Sequence, residues 1–133
     1  MRGRRRRVPR RSVLLVDDNV SFLSGLAELL ASHDMDVTAR SSFGEAREYL
    51  LHHSPDVVAT DVRLREYNGL HLVLLARAQR PDVMAFVYSA HSDAALLAEA
   101  AACGAVFVDK QVASGELIAA LDPSAATSQN LTH

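Results

Sequence analysis

The chain has 133 residues, 49% of them apolar, a size that suits one domain around one core. Its net charge of -2 hides a division: Arg2, Arg4, Arg5, Arg6, Arg7, Arg10 and Arg11 supply seven of the fourteen cationic residues, so residues 12–133 hold seven against sixteen acidic ones, a net of -9. A body of that charge is poorly suited to bind nucleic acid by itself, because neutralising phosphates is the main source of such affinity; a cation or a basic partner surface suits it better.

Residues 1–12 read as a basic, disordered arm. An Arg-rich start can mimic a secretory signal, but the apolar run after it, residues 13–16, is four residues long and is stopped by Asp17 and Asp18. Nothing approaches a membrane span, and the single Cys103 rules out an intramolecular disulfide, so the expected compartment is the cytoplasm.

Residues 13–16 (VLLV) are apolar throughout, as in a strand covered on both faces. Phe22, Leu23, Leu26, Leu29 and Leu30 then recur at helical spacing. A weak strand over residues 35–39 follows, and Ser42-Phe43-Gly44-Glu45 is a capping box opening a helix to about residue 53. Further strands are expected at residues 57–59, 83–88 and 105–108, with helices over 70–80, 92–103 (closed by Gly104) and 115–121. Residues 122–133 read as a frayed polar tail. Five strand-helix pairs joined by right-handed crossovers make an α/β fold, a doubly wound parallel sheet with helices on both sides. In such a sheet ligands sit outside the carboxyl ends of the strands.

Those ends carry Asp17 and Asp18 after the first strand, Asp61 after the third, Ser89 after the fourth and Lys110 after the fifth. Three carboxylates converging on one edge repel unless a cation shares the site, and few, hard oxygen ligands suit Mg²⁺. A lysine and a hydroxyl nearby are what a transferred phosphoryl group needs. The site therefore reads as phosphoryl chemistry without a glycine-rich phosphate loop, since neither common type occurs.

The set Val16-Asp17-Asp18, Asp61 followed eight residues later by Gly69, Ser89-Ala90-His91 and Gly104 through Lys110 resembles the receiver domain of two-component response regulators over residues 12–121. The resemblance implies a flavodoxin-like (βα)5 fold with strand order 2-1-3-4-5, here as a stand-alone receiver at residues 13–121. It implies that Asp61 accepts a phosphoryl group from a histidine kinase or phosphotransfer protein. Asp18, Asp61 and the backbone carbonyl of Arg63 would ligate Mg²⁺, Asp17 acting through water, while Ser89 and Lys110 bind the phosphoryl oxygens. Ser89 and Phe107 would be the switch pair, residues 92–121 the face read by a downstream protein, and Arg63 and His91 the residues that set the lifetime of the acyl phosphate. The resemblance implies no enzyme beyond this self-catalysed transfer and loss.

Four departures from the family pattern stand out. Gln111 replaces a proline that usually follows a cis bond, so the Lys110-Gln111 bond is expected trans. Phe107, lacking a hydroxyl, should give a less sharply coupled switch than tyrosine. Arg65 replaces a common proline and Asn68 a common aspartate. Other classes remain open at this point: a receiver cut from a longer regulator, a receiver-like module that binds partners without phosphorylation, and a phosphatase using Asp61 as nucleophile, for which the connections are too short to build a substrate cap. The arginine arm is the one segment suited to nucleic acid or an acidic partner.

Overall fold

The computed structural model describes residues 10–124 except Ser92; most of the arginine arm and of the C-terminal tail lies outside them. Five parallel strands, β1 (Ser12–Val16), β2 (Asp36–Arg40), β3 (Val57–Asp61), β6 (Met84–Ser89) and β7 (Val106–Asp109), lie in the order β2-β1-β3-β6-β7. Counted among these five alone, the order is the 2-1-3-4-5 expected. Alternate residues of each strand supply opposite faces. Val13, Leu15, Val57, Ala59, Phe86 and Tyr88 pack under α1 (Val20–Ser32) and α5 (Ala113–Leu121). Leu14, Val16 and Val58 pack under α2 (Phe43–His52) and α3 (Leu70–Gln79), and Ala85 and Val87 continue that face toward α4 (Ala94–Ala102).

Several boundaries differ from the sequence reading, each for a local reason. β2 starts one residue late, at Asp36, because the Met35 N–H donates back to Leu30 O at the end of α1 and the ladder with β1 begins at Ser12↔Asp36. β3 and β6 run on to include Asp61 and Ser89, since ladder pairing continues through these polar residues as Asp61↔Tyr88 and Ser89↔Asp109. α4 begins after Asp93, whose carboxylate accepts from Leu96 N at 2.8 Å; Ser92, where it was expected to start, lies outside the described residues. α5 begins at Ala113, so Gly115 sits inside it. The capping box at α2 is half reciprocal: Ser42 accepts from Glu45 N, while Glu45 reaches Ser41 N rather than Ser42.

A two-stranded hairpin, β4 (Arg63–Leu64) with β5 (Tyr67–Asn68), interrupts the connection from β3 to α3 and was not expected, since strands of two residues leave no periodic signal. Its turn puts Arg65 at φ 61, a value closed to the proline usual in the family. Asn68 Oδ1 accepts from Leu70 N at 2.8 Å, closing the turn that leads into α3, whose cap position is Gly69.

Arg77 on α3 fastens the far end of α4: its guanidinium donates to the carbonyls of Cys103, Gly104 and Pro81. Gly104 holds φ 75, and a Cβ there would stand 3.1 Å from that guanidinium. Cys103, as expected, ends the helix half-buried.

At the amino edge of the sheet, Asp56 accepts from Ser12 N at 2.8 Å and from Ser12 Oγ, and pairs with Arg80 at 2.6 Å. The bond from Ser12 N holds its pKa below the ordinary 3.8 against the opposing effect of burial. A depressed carboxylate stabilises the fold above its ordinary pKa and loses that contribution as pH falls through the lower folded value. Asp56→Ala should therefore cost about 1–2 kcal/mol near neutral pH, discounted for partial exposure, and progressively less below the ordinary value, as read by denaturant titration across pH.

Candidate functional site

Parallel strands bring their carboxyl ends to one edge, and each candidate residue arrives there on its own strand. Asp17 directly follows β1 and is 0% exposed; its Oδ1 accepts from Asn19 N at 2.8 Å, and Asn19 in turn caps α1. The start of α1 thus fixes Asp17. Asp18 is half-buried and has no hydrogen bond or ion pair among the described residues. Asp61, 8% exposed, ends β3; Oδ1 accepts from Arg63 N at 3.0 Å and Oδ2 from Lys110 Nζ at 2.9 Å. Lys110 Nζ also pairs with Asp17 Oδ2 at 2.8 Å, and that buried oxygen has no other partner among the described residues.

These contacts set the electrostatics. Burial raises the Asp17 pKa above 3.8, the bonds from Lys110 and Asn19 pull the other way, and the charge of Asp61 adds to the rise. Burial alone would lower the Lys110 pKa, but the carboxylates of Asp17 and Asp61 together outweigh it and hold the ammonium above its ordinary value. Carboxylate oxygens of Asp17, Asp18 and Asp61 all lie within 4.8 Å of one another, with one ammonium against three acids. A buried, otherwise unsatisfied oxygen within a hard, all-oxygen donor set fits a divalent cation of the Mg²⁺ or Ca²⁺ type.

The remaining candidates lie around this cluster. Ser89, 5% exposed, ends β6, and its hydroxyl accepts from His91 N at 3.1 Å; the His91 side chain is exposed. Arg63 stands exposed on β4 with its N–H on Asp61. Phe107, half-buried on β7, packs on the face that α4 covers. Lys110 opens a 3-10 turn to Val112, and no peptide bond among the described residues is cis, so Lys110-Gln111 is trans as expected. Lys110 nevertheless reaches both carboxylates.

Sequence reasoning missed two groups. Phe22 and Tyr88 place their rings beside the Lys110 ammonium, at 4.7 Å and 5.9 Å. A signal for Tyr88 was present: a tyrosine in a wholly buried strand needs a partner for its hydroxyl. It donates to Val16 O at 2.9 Å, and burial, then the charges of Asp17 and Asp61, push its pKa well above 10.0. Gly69 is required by space rather than by dihedral angle, since a Cβ there would lie 2.1 Å from Asp61 O, an oxygen that also accepts from Thr60 Oγ1.

Residues 13–122 match the family described as the response regulator receiver domain. The chain belongs to that family, the phosphoacceptor modules of two-component signalling. Among curated relatives, it is 30% identical over 112 residues to the photosynthetic apparatus regulatory protein RegA of Cereibacter sphaeroides, covering 84% of this chain and 61% of that one. It is 33% identical over 112 residues to the DNA-binding transcriptional activator DevR/DosR of Mycobacterium tuberculosis, covering 82% and 52%. The chain therefore spans about half to three-fifths of these relatives. Among solved structures, a response regulator receiver protein from Sinorhizobium medicae superposes with a TM-score of 0.76 at 28% identity, over 84% of this chain and 91% of that one. A response regulator from Burkholderia pseudomallei, with a phosphorylated aspartic acid, calcium ion and citrate, superposes with a TM-score of 0.77 at 24% identity, over 92% and 72% of the two chains, which shows the shared fold. No helix among the described residues is long and apolar enough to cross a membrane.

Gly69→Ala should force apart the backbone beside Asp61 and cost about 1–3 kcal/mol by thermal melting, whereas Gly44→Ala, with nothing within 4 Å of the new methyl group, should not destabilise the fold.

Proposed function

We propose that Asp61 takes a phosphoryl group from a phosphohistidine on a partner kinase or phosphotransfer protein. A carboxylate oxygen of Asp61 forms the new P–O bond while the P–N bond to the histidine breaks, and the electron pair leaves with the ring nitrogen. The observation that carries this reading is the Lys110 ammonium held against Asp61 Oδ2 at 2.9 Å, where it can follow an oxygen transferred to that carboxylate. Ser89, at the adjoining strand end, supplies the hydroxyl for a second phosphoryl oxygen. The acyl phosphate is a mixed anhydride and is lost to water in turn, so the mark is temporary.

Mg²⁺ is the cation proposed for the three-carboxylate cluster; when bound it would offset the charge gathered as phosphate approaches. Asp18 and Asp61, with the carbonyl of Arg63, are its proposed direct ligands, and Asp17 acts through water. The open Asp18 and the buried, lysine-paired Asp17 support that division. Arg63 and His91 tune access of water to the acyl phosphate, and the long cation at Arg63 favours slow release. Ser89 drawn toward the phosphoryl group and Phe107 moving after it would change the face at residues 92–121 for a downstream protein. The proposed arrangement is a receiver at residues 13–121 between a basic arm at 1–12, whose leading reading is a tail without a partner of its own, and a polar tail at 122–133, in a cytoplasmic protein.

Incubation with Mg²⁺ and a small acyl-phosphate donor, followed by mass spectrometry, should show a gain of one phosphoryl group that Asp61→Asn abolishes. Asp17→Asn should slow the gain roughly ten- to hundredfold, and Asp18→Asn by more. No gain in the unaltered protein, with partner binding intact, would instead mark a module that works without phosphorylation.

A further inference from the structure

The two rings beside Lys110 have no part in the chemistry above, yet each is placed with care. Phe22 comes from the first turn of α1, the turn whose cap also fixes Asp17. Tyr88 stands opposite Asp61 in the β3–β6 register and is wholly buried. Its hydroxyl nevertheless bonds to Val16 on β1, so the side chain passes beneath the end of β3, on the face covered by α1 and α5. The two centroids lie 5.5 Å apart with the planes at 59°, and the ammonium of Lys110 rests against both rings.

We propose that Phe22 and Tyr88 form an aromatic seat that positions Lys110 for phosphoryl transfer to Asp61. This rests on Asp61 being the phosphoacceptor. Before transfer the ammonium is shared by Asp17 and Asp61; after it, the ammonium must turn toward a phosphoryl oxygen on Asp61. A hydrogen bond weakens steeply as its angle departs from linear, whereas the negative face of a ring attracts a cation across a broad area. The seat lets the lysine exchange anionic partners without drifting into water, which would otherwise draw a strongly hydrated ammonium on a flexible stem. An aliphatic side chain of similar volume fills the space but offers no such attraction. The Tyr88 hydroxyl touches no reacting atom; by holding Val16 O it fixes the tilt of its ring. Both are positioning residues.

The test uses the full chain, Mg²⁺ and a small acyl-phosphate donor, with the initial rate of phosphorylation read by mass and Mg²⁺ affinity by calorimetry. Phe22→Leu should slow phosphorylation about three- to tenfold and leave Mg²⁺ affinity unchanged, and Phe22→Trp should restore the rate. In a Lys110→Ala background Phe22→Leu should cause no further slowing. Should Phe22→Leu fold poorly, ring-fluorinated phenylalanine at the same position keeps the shape and drains the ring face, and the rate should fall with each added fluorine. A rate unaffected by leucine or by fluorination, or equal slowing with and without Lys110, overturns the seat. If the unaltered protein takes up no phosphoryl group, the reading of Asp61 fails and the seat with it, an outcome told apart by the wild-type mass alone.

Discussion

One ammonium shared by two carboxylates holds the carboxyl edge of this sheet together. The parallel arrangement gathers Asp17, Asp18 and Asp61 from neighbouring strands β1 and β3, and like charges so close raise the cost of every other arrangement. Lys110 begins beyond β7, at the side of the sheet, and its path to Asp61 and Asp17 crosses the end of β6. A long, thin, flexible side chain suits that crossing, and the residue it crosses on β6 is Tyr88. The ring beneath the lysine, the bond from that ring to β1 and the cap that fixes Asp17 are all answers to one requirement, which is to keep a cation between acids buried to different depths. Because both acids lose hydration on burial, neither can be left without the lysine or a metal ion at little cost.

Much of this was legible in the residues. Continuous apolar runs separated by helical stripes gave the five strands, and the rule that ligands gather at carboxyl ends picked out Asp17, Asp18, Asp61, Ser89 and Lys110 before any contact was known. Phe22 and Tyr88 stayed hidden for a physical reason. A phenylalanine in an amphipathic stripe and a tyrosine in an apolar strand are most simply core residues, and both do pack in the core; only three-dimensional placement shows that their faces are also turned to a cation. The unequal burial of Asp17 and Asp18 was likewise beyond the reach of sequence, since adjacent residues after a strand differ by which way the chain bends into the next helix. The proline missing after Lys110 was visible as a departure, but its small effect on the lysine was not, because a trans peptide leading into a 3-10 turn delivers the side chain to the same carboxylates. The hairpin before α3 was too short to read.

The guanidinium of Arg77 has a mechanical consequence for α4. That helix buries one residue, Ala100, near its end, and the same end is bound through the carbonyls of Cys103 and Gly104 to α3. Its beginning, just past Ser89 and His91, is held by its own cap at Asp93 and by the half-buried Leu96, which packs against the core. A helix tied by two side-chain hydrogen bonds at one end and by apolar packing at the other would turn about the tied end more readily than it would slide. The other end lies at the carboxyl edge of the sheet, beside Ser89, so a displacement there would act on the helix where its leverage about Arg77 is greatest.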